Sequence, residues 1–228
     1  MLHPIRSSGR FAGLAFALII FSGHAVADSY PLDQCPVSGK KLDAMGDPVI
    51  KSYDGREVRF CCAACPEKFE ADQASYLQKI DAAIVQQQSP VYPQGKCIVS
   101  GEELGSMGDP LDYVYQNRLV KLCCAGCIKK LEAEPAKYLA ELDARIVAEQ
   151  KETYPLATCV VSGEKLGGDI GDPIEYVYAN RLVRLCCKSC IKDFEKDPAK
   201  YLAILDGAKP DNKADTGKAA AGHGDHKH

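Results

Sequence analysis

The sequence of 228 residues has no tryptophan and no cluster of basic residues. Lysine and arginine total 28 against 31 acidic residues, and the formal net charge is −3, so the composition gives no reason to expect a nucleic-acid partner. A pair of acid/base carboxylates, a nucleophile beside a base and a phosphate-binding loop are also missing, so we expect no enzymatic activity. Cysteine, in contrast, is abundant, with twelve residues.

The first 27 residues have the pattern of an export signal. Arg6 and Arg10 precede an apolar run, Phe11 to Phe21, that is shorter than the roughly 20 residues needed to span a bilayer. Ala25-Val26-Ala27 is typical of a cleavage site, and no cysteine follows it that could carry a lipid. We therefore expect a periplasmic or secreted protein that starts at Asp28 and has no membrane anchor after cleavage.

The rest of the chain repeats one module three times. The copies begin with CPVSGKKL (35–42), CIVSGEEL (97–104) and CVVSGEKL (159–166), and each contains a dense cysteine run: FCCAAC (60–65), LCCAGC (122–127) or LCCKSC (185–190). The third copy has one extra residue near Gly168. Repetition at a fixed period predicts tandem structural units. We predict a signal peptide (1–27), three modules (28–90, 91–152 and 153–208) and a disordered, histidine-containing tail (209–228).

A β-hairpin is predicted in the first half of each module. In the first copy a strand ends at Tyr53, Asp54-Gly55 forms the turn, and a second strand follows. In that second strand Val58 and Phe60 alternate with Glu57 and Arg59, which predicts one buried and one exposed face. Gln116-Asn117 and Ala179-Asn180 occupy the turn position in the other copies.

Helices are predicted in the second half of each module. Phe69 lies four residues after Cys65, and Asp-Pro at 197–198 is typical of the cap and first turn of a second helix. The corresponding second helix of the middle copy has core residues at helical spacing: Tyr138, Leu139, Leu142 and Ile146. Stretches such as residues 86–90 between the copies look like linkers or fraying helix ends. Units this small usually need disulfides or metals, so the prediction is an α+β fold of three modules with cysteines in structural positions.

The cysteine spacing is suited to binding a metal ion. If the first helix begins near Cys61 or Cys62, Cys65 lies on the same helix face as both. The exposed N–H groups at a helix start favour thiolates, and the hairpin can return Cys35 to the same point. Four thiolates would suit Zn²⁺, whereas two or three would suit Cu(I). We expect zinc or copper ions, up to one per module.

Candidate ligands also occur outside the cysteine runs. Histidines in the tail can bind Cu²⁺, Ni²⁺ or Zn²⁺, although a solvated tail is an equal alternative. Met45 and Met107 offer thioethers for Cu(I), but the third copy has Ile170 near that place, which favours packing of the loop. The complete set of predicted metal ligands is Cys35, Cys61, Cys62, Cys65, Cys97, Cys123, Cys124, Cys127, Cys159, Cys186, Cys187, Cys190, His223, His226 and His228.

The runs RFCCAACPEKFEADQASYL, LCCAGCIKKLEAEPAKYL and LCCKSCIKDFEKDPAKYL resemble the YHS/TRASH-like heavy-metal-associated domains. The resemblance covers roughly residues 35–80, 97–142 and 159–205 and implies treble-clef-like modules (a Cys knuckle, a β-hairpin and one or two helices) of metal transport, sensing or resistance proteins. It implies that the Cys-x3-Cys pairs are ligands: Cys61 and Cys65, Cys123 and Cys127, and Cys186 and Cys190.

The chain departs from the family pattern at the knuckle. The family often has its first cysteine where this sequence has Ser38, Ser100 and Ser162, and the histidine of some relatives is missing. Cys35 lies three residues earlier than that position and is a plausible substitute ligand. Three alternatives remain for the fourth coordination position: it is filled by Cys62, it is filled by water, or it is absent.

Three other roles for the cysteines remain open. Two disulfides could form in each copy, because export places the chain in an oxidising compartment. The Cys62-x-x-Cys65 spacing at a helix start also occurs in thiol oxidoreductases. A bound metal could serve only to stabilise the fold of a protein whose function is to bind other proteins. We favour an exported protein that sequesters or delivers heavy metal, with metal ions and a metal efflux or delivery protein as its partners.

Overall fold

A computed structural model describes residues 29–93, 95–167 and 171–208, and it has the mixed helix-and-sheet composition expected of three α+β modules. Each module contains a two-stranded antiparallel hairpin followed by two helices. The predicted signal peptide, the extra residue near Gly168, Ile170 and the tail histidines lie outside the described residues. Within them, no helix combines the length and apolar character that a membrane span requires.

The elements occur in the same order in every module. They are β1 (Val49–Tyr53), β2 (Arg56–Phe60), α1 (Cys65–Ala71) and α2 (Gln73–Gln88); β3 (Leu111–Tyr115), β4 (Arg118–Leu122), α3 (Gly126–Ala133) and α4 (Pro135–Gln150); and β5 (Ile174–Tyr178), β6 (Arg181–Leu185), α5 (Ser189–Lys196) and α6 (Pro198–Gly207). A short 3₁₀ helix, Ser89–Val91, follows α2.

The three hairpins have two-residue turns, as the sequence predicts. In the first, Tyr53 pairs with Arg56, and Asp54 and Gly55 have φ values of 50° and 81°. Positive φ at both turn residues is typical of the type I′ turn, which matches the twist of the flanking strands. Asn117 and Asn180 take the position of Gly55 with φ values of 70° and 59°, a region that asparagine tolerates better than most residues.

The predicted core of the modules is confirmed. Val58, Phe60 and Phe69 are fully buried, and the rings of Phe60 and Phe69 pack edge to face with centroids 5.3 Å apart. The four core residues predicted for the second helix are all buried in α4. Asp197 caps α6, because its carboxylate accepts a hydrogen bond from Lys200 N at 3.2 Å.

The predicted exposure of Arg59 is wrong, because the second face of its hairpin lies against another module. Arg59 is buried, and its guanidinium donates hydrogen bonds to the carbonyl oxygens of Glu195 and Lys196 in the third module, at 3.0 and 3.2 Å. On the corresponding face of β4 and β6, Leu119 and Leu182 are buried as well. The second strand of each hairpin is therefore largely covered on both faces, whereas Ile50 and Ser52 of β1 are exposed.

The stretch after the first module that was predicted as a linker or a fraying helix end is the end of a helix and part of an interface. Helix α2 extends to Gln88, which is fully buried. Its side chain donates to Asn117 O at 3.0 Å and accepts from Leu119 N at 2.8 Å and from Asn180 Nδ2 at 3.0 Å. One glutamine thus joins its own module to the hairpins of both others.

The turn asparagines complete this interface. Asn117 Oδ1 accepts from Arg56 Nε at 2.7 Å, and its amide donates to Glu57 O at 2.8 Å. Asn180 makes the equivalent contacts with Arg118 Nε and Leu119 O, both at 2.8 Å. Because the interface is polar, buried and hydrogen-bonded on both sides, the modules form a packed assembly rather than separate beads.

Candidate metal centre

A tight turn at residues 35–39, the knuckle, positions the first cysteine of each module. Cys35 N donates to Lys40 O at 2.8 Å, and Gly39 N donates to Cys35 O at 2.9 Å. Gly39 has a φ of 68°, which glycine adopts without steric cost. The same two hydrogen bonds recur at Cys97 and Cys159. The CxxSG pattern therefore encodes a repeated local structure.

The other cysteines lie where the second strand of the hairpin gives way to a helix. Cys61 follows β2 directly, and α1 begins only at Cys65, whose N–H donates to Cys62 O at 3.2 Å. The corresponding helices begin at Gly126 and Ser189. The assumption of a helix that begins near Cys61 or Cys62 is therefore wrong, because residues 61–64 form a turn. This turn, rather than one helix face, brings the cysteines together.

Three buried cysteines meet in each module, and we call each group a triad. Their sulfur atoms all lie within 4.8 Å of one another. The measured Sγ–Sγ distances within triads include 3.9 Å for Cys61–Cys65, 3.7 Å for Cys123–Cys127 and 3.7 Å for Cys186–Cys190. The triads are Cys35, Cys61 and Cys65; Cys97, Cys123 and Cys127; and Cys159, Cys186 and Cys190.

The triad geometry suits a metal ion. Tetrahedral Zn²⁺ with Zn–S bonds of about 2.3 Å requires its sulfur ligands to be about 3.8 Å apart, close to the measured distances. All twelve cysteines belong to the described residues and are free thiols, and the sulfur atoms of Cys62 and Cys65, for example, are 3.5 Å apart. A disulfide would need a separation of about 2.0 Å. The structure thus brings together the predicted knuckle cysteine and the Cys-x3-Cys pair in every copy.

A serine of the knuckle stands beside each triad. Ser38 Oγ lies 3.2 Å from Cys61 Sγ, and the equivalent distances are 3.2 Å for Ser100–Cys123 and 3.3 Å for Ser162–Cys186. The three serines are exposed, so they mark the side of the cluster nearest to solvent. The family pattern singled out these positions, but only the structure shows the contact with a thiol.

The fourth cysteine of each module lies next to the triad but is not a member of it. Cys62 is half-buried, and its Sγ is 3.5 Å from Cys65 Sγ. Cys124 lies 3.9 Å from Cys127 Sγ, and Cys187 lies 3.7 Å from Cys190 Sγ. In these two modules the fourth sulfur is also 4.0 and 3.7 Å from Cys123 and Cys186, respectively. It is therefore within reach of two triad sulfurs.

Ionisation differs among the thiols of one site. Burial opposes the ionisation of Cys35, but hydrogen bonds from the N–H of Cys61 and the hydroxyl of Ser38 outweigh it and lower its pKa to about 7. Cys97 and Cys159 have a pKa of about 7 for the same reasons. The pKa of Cys65 is raised, mainly by burial. Cys35 is thus more readily ionised than Cys65, and ion binding would release the protons of the thiols that remain.

The thiol of Cys62 is also stabilised as a thiolate. The N–H of Ala64 lowers its pKa, as the N–H of Gly126 does for Cys124. At Cys187 the hydroxyl of Ser189 and the N–H of Cys190 lower the pKa to about 7. These groups lie at the start of the following helix, so the stabilisation expected at a helix N-terminus reaches the fourth cysteine.

Of the remaining predicted soft ligands, the structure describes only Met45 and Met107. Their side chains are 61% and 66% exposed, so the predicted packing of this loop is wrong for the methionines. His223, His226 and His228 lie outside the described residues.

No protein-family model, no curated protein and no solved structure matches this chain. The resemblance to YHS/TRASH-like domains stays a prediction from the cysteine runs.

Proposed function

We propose that this protein is an exported metal-binding protein that takes one soft or borderline ion, such as Cu(I) or Zn²⁺, into each module. The observation that carries the proposal is the presence of three buried three-cysteine clusters with one geometry in a single chain. Three sites of the same composition allow one chain to hold three ions, which suits a protein that sequesters, buffers or delivers metal.

The donor set favours thiophilic ions. Three thiolates complete the coordination of trigonal Cu(I), whereas Zn²⁺ prefers a fourth ligand, which water or Cys62 could supply. Hard ions such as Mg²⁺ and Ca²⁺ prefer oxygen ligands, and the triads offer only sulfur. The choice between Cu(I) and Zn²⁺ therefore depends on whether the fourth position is filled.

The biological setting belongs to the same proposal. The N-terminal sequence supports export to the periplasm or medium, and the cysteine runs support membership of the YHS/TRASH-like domains. A metal efflux or delivery protein would be the protein partner. The protein would act without catalysing a reaction, although the spacing of Cys62 and Cys65 keeps thiol–disulfide exchange as an alternative that insulin reduction assays would reveal.

The test is a metal titration of the chain from Asp28 to His228, purified reduced and without oxygen. Cu(I) and Zn²⁺ would be titrated separately against a competing chelator of known affinity. We expect about three tightly held equivalents of the physiological ion, one for each triad. Failure to bind either ion, together with thiol counts that show paired cysteines in protein isolated from its native compartment, would refute the proposal.

A metal-stapled interaction protein is the second candidate. It is favoured by the burial of the triads, each of which joins the knuckle, the strand end and the helix start next to the core. Under this alternative, Cys65→Ser unfolds a module but leaves the metal tolerance of the cell unchanged. Metal sequestration instead predicts that tolerance falls in cells that produce the variant.

A further inference from the structure

Exposure to solvent divides the four cysteines of each module into two kinds. The three triad cysteines are buried, whereas Cys62, Cys124 and Cys187 are half-buried. The division is the same in all three copies, although their local sequences differ (Ala-Ala, Ala-Gly and Lys-Ser after the fourth cysteine). A feature of the shared turn, rather than one local side chain, therefore keeps this sulfur at the surface.

The half-buried sulfur can contact an ion in the triad and a group outside it. Its distances to triad sulfurs range from 3.5 Å for Cys62–Cys65 to 4.0 Å for Cys123–Cys124, close to the roughly 3.8 Å between two ligands of one tetrahedral ion. The residues that follow Cys62, Ala63 and Ala64, are small and exposed. A partner thiolate can thus approach Cys62 without first displacing a large side chain.

We propose that Cys62, Cys124 and Cys187 are the transfer ligands through which a metal ion enters and leaves each triad, in exchange with a thiolate of a partner molecule. The inference rests on the proposed function and adds a route and a partner chemistry to it. The triad stores the ion, and the fourth cysteine binds it during transfer.

Each transfer step exchanges one metal–sulfur bond for another. On entry, the bond between the ion and the donor thiolate breaks as a bond to Cys62 Sγ forms. The thiol proton of Cys62 passes to solvent, and the released donor thiolate can take up a proton in turn. The bond between the ion and Cys62 then breaks as the triad sulfurs bind the ion, the protonated triad thiols release their protons to solvent, and Cys62 takes up a proton again. No electron is transferred, so the oxidation states of the ion and the sulfurs do not change.

The experiment compares the reduced chain with a variant carrying Cys62→Ser, Cys124→Ser and Cys187→Ser. Cd²⁺ serves as the probe, because thiolate-to-cadmium charge-transfer absorption reports the number of sulfur ligands. Three quantities are measured: the number of Cd²⁺ bound, the affinity against a chelator, and the rate of Cd²⁺ transfer to dithiothreitol. A second variant, Lys40→Ala with Glu102→Ala and Glu164→Ala, changes one exposed knuckle side chain outside the triad in each module and serves as the matched control.

We expect the cysteine variant to bind three Cd²⁺ ions with unchanged absorption per ion. Its affinity for Cd²⁺ should fall by no more than roughly 10- to 100-fold, the usual effect of losing a group that contacts the ligands but does not bind the metal. Its transfer rate should fall by about tenfold or more, a difference of about 1.4 kcal/mol in activation free energy. The knuckle control should transfer at the wild-type rate.

Two results would overturn the inference. An unchanged transfer rate in the cysteine variant, or an equal slowing in the knuckle control, would show that the ion does not pass through the fourth cysteine. A loss of bound Cd²⁺ in the cysteine variant, or a drop in its absorption per ion, would show that the fourth cysteine is a permanent ligand of the stored ion. Failure of the wild-type chain itself to bind Cd²⁺ would instead refute the proposed function, so the two failures are distinguishable.

Discussion

The hydroxyl oxygen of Ser38 lies 3.2 Å from the sulfur of Cys61, across 22 intervening residues of the chain. The contact joins the knuckle to the end of strand β2 and recurs in the other two modules. A hydroxyl is a weaker ligand for soft ions than a thiolate. The serine therefore holds a position beside the triad without adding a fourth sulfur to it.

Replacing this serine with cysteine should create a four-thiolate site. For Ser38→Cys we expect tighter Zn²⁺ binding in the first module, because tetrahedral coordination by four cysteines is a common closed zinc site. Chelator competition measures the affinity, and Cd²⁺ charge-transfer absorption should increase for this module. Ser38→Ala is the control and should leave the stoichiometry at three. Equal Zn²⁺ affinities for Ser38→Cys and wild type would place the new sulfur outside the coordination sphere.

Removing one triad cysteine should eliminate one site. Cys127→Ser in the middle module replaces a buried thiol that lies 3.7 Å from Cys123 Sγ and 3.9 Å from Cys97 Sγ. We expect the number of tightly bound ions to fall from three to two, since two thiolates remain in that triad. Mass spectrometry under native conditions counts the ions directly. Retention of three tightly bound ions would contradict the assignment of Cys127 as a ligand.

Metal removal should destabilise the fold. An ion that binds only the folded triad adds RT ln(1 + [L]/Kd), or about 4 kcal/mol per site at a free-ion concentration of roughly 1,000 times Kd. Thermal melts with and without a chelator should therefore show a clear drop in Tm, and the Tm of the loaded protein should rise with metal concentration. A Tm that is independent of metal would mean that the triads bind no ion in the folded state.

The buried glutamine at the end of α2 should be essential for packing of the modules. Gln88→Ala removes three hydrogen bonds and leaves buried partners such as Leu119 N unpaired, with an expected loss of about 2 to 5 kcal/mol. Urea unfolding measures this loss, and small-angle scattering should show a larger radius of gyration if the modules separate. Gln86→Ala, two residues earlier at an exposed position, should be neutral.

The number of metal ions bound by Gln88→Ala shows whether metal binding depends on the packing of the modules against one another. Because each triad lies within one module, we expect the variant to bind three ions even if its modules separate. Loss of metal binding would show instead that the sites depend on contact between modules.

The local elements of the fold were predictable because short-range patterns determine them. Asp54-Gly55 specifies a hairpin turn, Asp197-Pro198 specifies a helix start, and the knuckle requires glycine at position 39. The spacing of four residues from Cys65 placed Phe69 on the same helix face as that cysteine, and both are buried. Repetition strengthened the prediction for the knuckle, since its glycine recurs at positions 101 and 163.

The interface between modules was not predictable from these patterns. Arg59 was expected on an exposed face, and Gln88 in a linker or a fraying helix end, because polar residues are usually solvated. Both are buried with hydrogen-bond partners far away in the sequence. A polar side chain becomes a core residue only when a distant part of the chain supplies its partners, and a single sequence does not reveal that pairing.

By itself, the sequence determined that this protein has three cysteine-rich modules, each with a hairpin, two helices and the thiols for a soft ion. The tertiary structure decided which three of those thiols form a buried cluster and which one remains partly exposed. The return of the hairpin brings Cys35 to Cys61 and Cys65, and the turn before α1 leaves Cys62 half-buried beside them. Spacing along the chain limits which sulfurs can meet, but burial depends on the surrounding core, which forms only when the chain is folded.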